Sequence, residues 1–119
     1  MILVVDDDDS VRQVLIDMLR SSGYEAWGEQ NGRDALAYLT DDENERPELI
    51  LLDYSMPVMN GEEFLIFRDI DPRLKAIPVI VFTGSVDLVS NKSADGYVQK
   101  PFVSQVMPFV EKYCVAPAA

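Results

Sequence analysis

The sequence predicts a doubly wound α/β domain on a five-stranded parallel sheet, and three observations carry that prediction. The runs Ile2–Val5, Leu49–Leu52 and Val79–Phe82 are continuously apolar rather than alternating, the pattern of strands covered on both faces. Segments with apolar residues at helical spacing separate them, so strands and helices alternate along the chain. The 119 residues fit one domain, 1–119, with one continuous core.

Ile2–Val5 is the first strand, and four aspartates, Asp6 to Asp9, end it. Val11, Val14, Leu15, Met18 and Leu19 follow at helical spacing, with Asp9 or Ser10 as the cap and Gly23 just past the end. Tyr24–Gly28 is a second, less apolar strand, and Asn31 caps a helix that carries Ala35, Leu36 and Leu39. Charged residues from Asp41 to Glu48 end that helix ahead of the third strand, Leu49–Leu52. Pro57–Gly61 is a turn, Glu62–Ile70 a third helix, and Pro72 and Pro78 bracket a loop.

The fourth strand, Val79–Phe82, ends at Thr83, and the fifth, Gly96–Gln99, stops at Lys100-Pro101. Between Gly84 and the Ala94-Asp95-Gly96 turn lie only Ser85 to Ser93. Val86, Leu88 and Val89 support one turn and Ser90–Ser93 a loop, so the fourth helix is expected to be shortened or irregular. The last helix spans Phe102–Tyr113, with Val106, Phe109, Val110 and Tyr113 on its buried stripe. Pro108 inside it predicts a kink or an early break, and the tail Ala116–Ala119 is expected to fray.

Composition narrows the chemistry. Ten Lys and Arg against 21 Asp and Glu give a formal charge of -11. That field repels nucleic-acid phosphates and anionic lipid, so a basic protein surface or a divalent cation is the expected partner, with solubility alone as the plainer reading. Cys114 is the single cysteine and histidine is absent, which excludes an internal disulfide, a cysteine zinc site, a Ser-His-Asp arrangement and imidazole ligation. Carboxylates, hydroxyls, lysine and backbone remain. The N-terminus has neither a basic leader nor a long apolar run, so a cytoplasmic location is the default expectation.

Right-handed crossovers favour the strand order 2-1-3-4-5, whose switch point lies between strands 1 and 3. Asp6 and Asp7 leave the first strand there and Asp53 leaves the third, while Thr83 and Lys100 leave strands 4 and 5. Carboxylates forced together raise a pKa or demand a cation, and Mg2+ is the expected one because it prefers oxygen ligands. A nucleophilic carboxylate beside a cation, a hydroxyl and a fixed ammonium suits phosphoryl transfer, with Asp53 as the central candidate.

Four segments carry a more specific likeness: Ile2 to Asp8; Leu51 to Pro57 with Asn60-Gly61; Pro78 to Phe82 with Thr83-Gly84; and Tyr97 to Phe102. Together they resemble the receiver domain of bacterial two-component response regulators, a flavodoxin-like fold, over nearly the whole chain. The resemblance implies that Asp53 is phosphorylated by a histidine kinase or a histidine phosphotransfer protein. It further implies that Asp7, Asp53 and the Ser55 carbonyl ligate Mg2+, with Asp6 acting through a metal-bound water. Thr83 would be the switch hydroxyl, Lys100 the ammonium that pairs with the phosphoryl oxygens, and Tyr97 the aromatic that turns inward with Thr83. Lys100-Pro101 matches a position where the family has a cis bond. Such a receiver assists its own phosphorylation and dephosphorylation rather than turning over as a conventional enzyme, and it signals to a downstream effector protein or domain.

Structural readings stand beside these. Asp6 to Asp9 also suits a solvated loop or helix cap, Thr83 a β-branched strand residue, Lys100 an ion-pair partner, and Tyr97 an aromatic closing the core edge. The shortened 84–96 segment and Pro108 alter the face many receivers use for dimerisation, so the usual symmetric dimer is not assumed. They also keep open a receiver fold used as a phosphorylation-independent protein-binding module. A Mg2+-dependent phosphohydrolase of small molecules is a third reading, and the lack of an obvious cap or specificity insertion speaks against it.

Overall fold

The computed structural model describes residues 1–117. Its elements alternate as the sequence predicts: β1 (Ile2–Val5), α1 (Asp9–Ser21), β2 (Ala26–Glu29), α2 (Gly32–Thr40), β3 (Leu49–Leu52), α3 (Gly61–Ile70), β4 (Val79–Thr83), β5 (Gly96–Gln99) and α4 (Met107–Tyr113). Single 3-10 segments lie at Val86–Leu88 and Val103–Val106. The five strands form one sheet in the order β2-β1-β3-β4-β5, with every neighbouring pair parallel.

Alternation along the strands divides the core between the two faces of the sheet. Ile2 and Val4 of β1 pack with Leu15, Ile16 and Leu19 of α1, with Val106 of the 3-10 segment Val103–Val106 and with Val110 of α4. Leu3 and Val5 face the other way, against Ala35 and Leu39 of α2 and Phe64 and Leu65 of α3. Every residue of β1, β3 and β4 is buried, which is why their sequences are apolar up to Thr83, the last residue of β4. The lone tryptophan, Trp27 of edge strand β2, is half exposed and stacks on Tyr38 of α2 with ring centroids 6.4 Å apart.

Several boundaries differ from the sequence expectation. The α1 cap is Asp8, whose carboxylate accepts from the Ser10 and Val11 amides at 2.9 and 3.1 Å, rather than Asp9 or Ser10. Val14, expected on the buried stripe of α1, is 52% exposed, and Ile16 takes its place inside. Strand β2 sits later than Tyr24–Gly28, and α3 begins at Gly61, behind an Asn60–Glu63 capping box.

Pro108 neither kinks nor breaks a helix. The 3-10 segment Val103–Val106 absorbs the first half of the expected 102–113 helix, so Pro108 falls in the first turn of α4, where no intrahelical partner awaits its missing N–H. Ala116 and Pro117 follow α4 outside any helix, while Ala118 and Ala119 of the expected frayed tail lie outside the described residues. The connection between β4 and β5 carries only the 3-10 turn Val86–Leu88, in line with the shortened fourth helix expected there. Val89 anchors it in the core beside β4, and Leu88 points outward at 77% exposure.

Candidate functional site

The sheet brings the C-terminal ends of β1 and β3 together in register, Val5 opposite Leu52, so the residue following each strand enters the same crevice. Asp6 and Asp53 are therefore neighbours, both buried, and the Asp53 amide donates to the Val5 carbonyl at 2.9 Å. Asp7 is exposed above them. Carboxylate oxygens of Asp6, Asp7 and Asp53 all lie within 4.8 Å of one another.

One cation answers this cluster directly. The Lys100 ammonium, leaving β5, sits 2.8 Å from Asp6 Oδ2 and 3.4 Å from Asp53 Oδ2. The Lys100-Pro101 bond behind it is cis. Burial alone would pull the Lys100 pKa down, but hydrogen bonds and charges from Asp6 and Asp53 outweigh that and hold it above its ordinary value. Asp53 moves further. Burial first and the Asp6 charge second push its pKa up from 3.8 to about 6, against the pull of Lys100 and the Ser55 amide.

The loop after β3 shapes the site's rim. The Ser55 amide approaches Asp53 Oδ1 at 3.4 Å, and the Ser55 side chain is exposed. Gly61 opens α3 directly behind the loop. A β-carbon there would lie 2.7 Å from the Tyr54 Cα and 2.9 Å from the Asp53 carbonyl, so glycine lets the helix start press against the loop that follows β3.

Thr83 is buried at the end of β4, next to the strand that carries Asp53. Tyr97 pairs across β4 with Val81, and its half-buried ring packs on the α2/α3 side of the core. The Tyr97 hydroxyl donates to the Asn91 carbonyl at 3.2 Å, which ties it to the irregular 84–96 segment.

Three negative carboxylates around one ammonium leave an excess of hard oxygen donors, and the residues present can coordinate a divalent metal. Exposed Asp7 leaves this donor set open to solvent on one side.

Comparison with known proteins yields a match between residues 2–108 and the response regulator receiver domain. The chain belongs to the response regulator receiver family. This receiver is 32% identical over 117 residues to sporulation initiation phosphotransferase F of Bacillus subtilis, covering 94% of its own length and 91% of that protein. It is 35% identical over 106 residues to the DNA-binding response regulator MtrA of Mycolicibacterium smegmatis, where it covers 85% of itself but spans only 44% of that longer protein.

Among solved structures, the receiver resembles response regulator TrrA of Thermotoga maritima in complex with Mg(2+)-BeF, with 30% identity, a TM-score of 0.81 and coverage of 95% of this chain and 97% of that one. The Mn(2+)-bound form of response regulator Rcp1 matches at 26% identity and a TM-score of 0.79, covering 98% of each chain.

The sequence reading missed residues that support the receiver's site from outside. Arg12 on α1 donates to the Asp6 carbonyl at 2.7 Å and pairs with Asp9. Tyr54, next to Asp53, has its hydroxyl within 3.4 Å of the Ser90 Oγ and of the Asn91 amide. The spacing of Asp9 and Arg12 on one helix face was a signal for the first. Nothing local marks Tyr54, because its partners lie 36 and 37 residues away.

Proposed function

We propose that this receiver takes a phosphoryl group onto Asp53 from the phosphohistidine of a histidine kinase or histidine phosphotransfer protein, and that the modified chain changes its binding to a downstream effector. The observation that carries the reading is the convergence of Asp53 with Asp6, Asp7 and Lys100 at the sheet's switch point. Phosphotransferase function in the Bacillus subtilis relative, and Mg(2+)-BeF or Mn(2+) in the solved relatives, support it.

An ionised Asp53 oxygen attacks phosphorus in line, the P–N bond breaks, and its electron pair leaves on the donor imidazole. The Lys100 ammonium, already 3.4 Å from Asp53 Oδ2, stabilises charge on the transferred oxygens. Thr83 is poised to add a hydroxyl donor to those oxygens, and Tyr97 to turn with it. Asp6, Asp7, Asp53 and the Ser55 carbonyl are the groups that would hold Mg2+, which when bound supplies positive charge for the oxygens of the transferring group. Later hydrolysis returns Asp53 to its free form, so the chain acts as a switch that assists its own chemistry.

Residues 1–119 act as one receiver unit in this reading. Among the described residues no helix is long and apolar enough to cross a membrane, and the acidic field disfavours direct nucleic-acid binding. A cytoplasmic site of action fits those traits.

Intact mass after incubation with Mg2+ and acetyl phosphate tests the proposal, with Asp53→Asn and a chelated sample alongside. A single phosphoryl adduct that disappears in both controls is the expected outcome. No adduct, together with no phosphate release and no response to beryllofluoride, would sink it in favour of a phosphorylation-independent binding module, a reading kept open by the connection between β4 and β5, which carries one 3-10 turn in place of a full helix.

A further inference from the structure

Asp7 is the exposed member of the acidic triad, yet its carboxylate stays within 4.8 Å of two buried ones. Its orientation depends on the peptide plane that joins it to Asp6. That plane lies past the last rung of β1, where the Asp6 amide still donates to the Glu29 carbonyl at 3.2 Å and the strand pairing stops.

Arg12 supplies the next rung. Its Nη1 donates to the Asp6 carbonyl at 2.7 Å, and its other terminal nitrogen pairs with Asp9 on the adjoining helical turn. The guanidinium thus bridges the two ends of the Asp6–Asp9 loop. Inside it, the Asp8 amide donates to Asp6 Oδ1 at 2.9 Å.

A second feature keeps the arginine stem in place. Gly28 of β2 lies beneath it, and a β-carbon there would come within 3.0 Å of the Arg12 Cδ and 3.2 Å of its Cγ. The space left by the missing side chain is shared with the tip of Ile16, whose Cδ1 would lie 2.8 Å from the same β-carbon. The Arg12 side chain is only 20% exposed.

We propose that Arg12 is a positioning residue for metal capture: it fixes the Asp6–Asp7 peptide plane and so holds Asp7 in place for a divalent cation. This rests on the reading of the triad as a Mg2+ site. Charge and position make opposite predictions. As a charge alone, Arg12 would repel Mg2+, and its removal would tighten binding. As a positioning group, it loses the site when it is lost, and outer partners of metal ligands typically change affinity by about tenfold or more.

The test is Mg2+ titration by calorimetry of the wild type, Arg12→Met and Arg12→Lys, with amide hydrogen exchange at Asp7 and Asp8 in the metal-free proteins. Met keeps the apolar stem over Gly28 but has neither donor nor charge, whereas Lys restores both. The expected result is about tenfold weaker Mg2+ binding and faster exchange at Asp7 in Arg12→Met, with partial recovery in Arg12→Lys. Unchanged or tighter binding by a folded Arg12→Met protein would overturn the assignment while leaving the phosphoacceptor reading intact. A wild-type chain that binds no Mg2+ would overturn both.

Discussion

Asp53 is held where burial and the Asp6 charge both oppose its ionisation, and the fold bears the cost at neutral pH. Its native pKa of about 6 lies above the free value of 3.8. The folded state therefore binds the proton more tightly than the unfolded chain. That contribution is fully present below pH 3.8 and is lost as pH rises through about 6. In metal-free protein, Asp53→Asn should be more stable than wild type by about 2–3 kcal/mol at pH 7.5, with the difference closing toward pH 4. Urea unfolding at three pH values reads this directly, and an Asn variant less stable than wild type at pH 7.5 would contradict it. Much of this site was legible beforehand, because Asp6 and Asp53 directly follow continuously apolar strands and Thr83 ends one, while Asp7 and Lys100 lie at the ends of β1 and β5 in the same order. The choice among four consecutive aspartates was not. Any of the last two, or Ser10, can cap a helix by composition, and only the backbone turn selects Asp8.

At the level of elements, the strands were readable because strands covered on both faces are almost wholly apolar, with Thr83 at the end of β4 the one polar residue among them, so β1, β3 and β4 declare themselves. Helix ends were harder, since a 3-10 lead-in such as Val103–Val106 has the same apolar spacing as the turn it replaces. Tertiary partners decide the rest. Arg68 of α3 is buried and reaches the Ile77 carbonyl at 2.9 Å, the Ser93 carbonyl at 3.3 Å and Asp95 Oδ2 at 2.9 Å. Asp95 Oδ2 also accepts from the Val79 amide at 2.8 Å. This knot ties the end of the helix-free segment to α3 and to the first residue of β4, doing for β5 what a packed helix does elsewhere. Asp95→Ala removes both acceptor contacts and leaves the buried Arg68 guanidinium with Asp69, 3.0 Å away, as its remaining carboxylate partner. A loss of about 2–3 kcal/mol is expected in denaturant unfolding, with hydrogen exchange rising first in β5. A loss under half a kcal/mol would mean that the segment is held mainly by Val89 in the core.

For the whole molecule, a formal charge of -11 on 119 residues makes self-repulsion part of the folding balance. Lowering the Debye length from about 30 Å to about 8 Å by adding NaCl should raise the melting temperature, since charges more than one such length apart stop acting on each other. Mg2+ at matched ionic strength should raise it further, because it binds only where the triad is assembled. At a hundredfold excess over its Kd that excess is about 2.7 kcal/mol, and it should shrink sharply in Asp53→Asn. Equal effects of NaCl and Mg2+ would show that the triad captures nothing specific. The stacked pair of Trp27 and Tyr38 has a practical meaning at this scale. As the chain's single indole it is an optical reporter, and it watches the seam between the edge strand and α2 rather than the acidic crevice. Its emission should follow the peeling of α2 from the sheet, which makes it a gauge of how evenly the two halves of the molecule come apart.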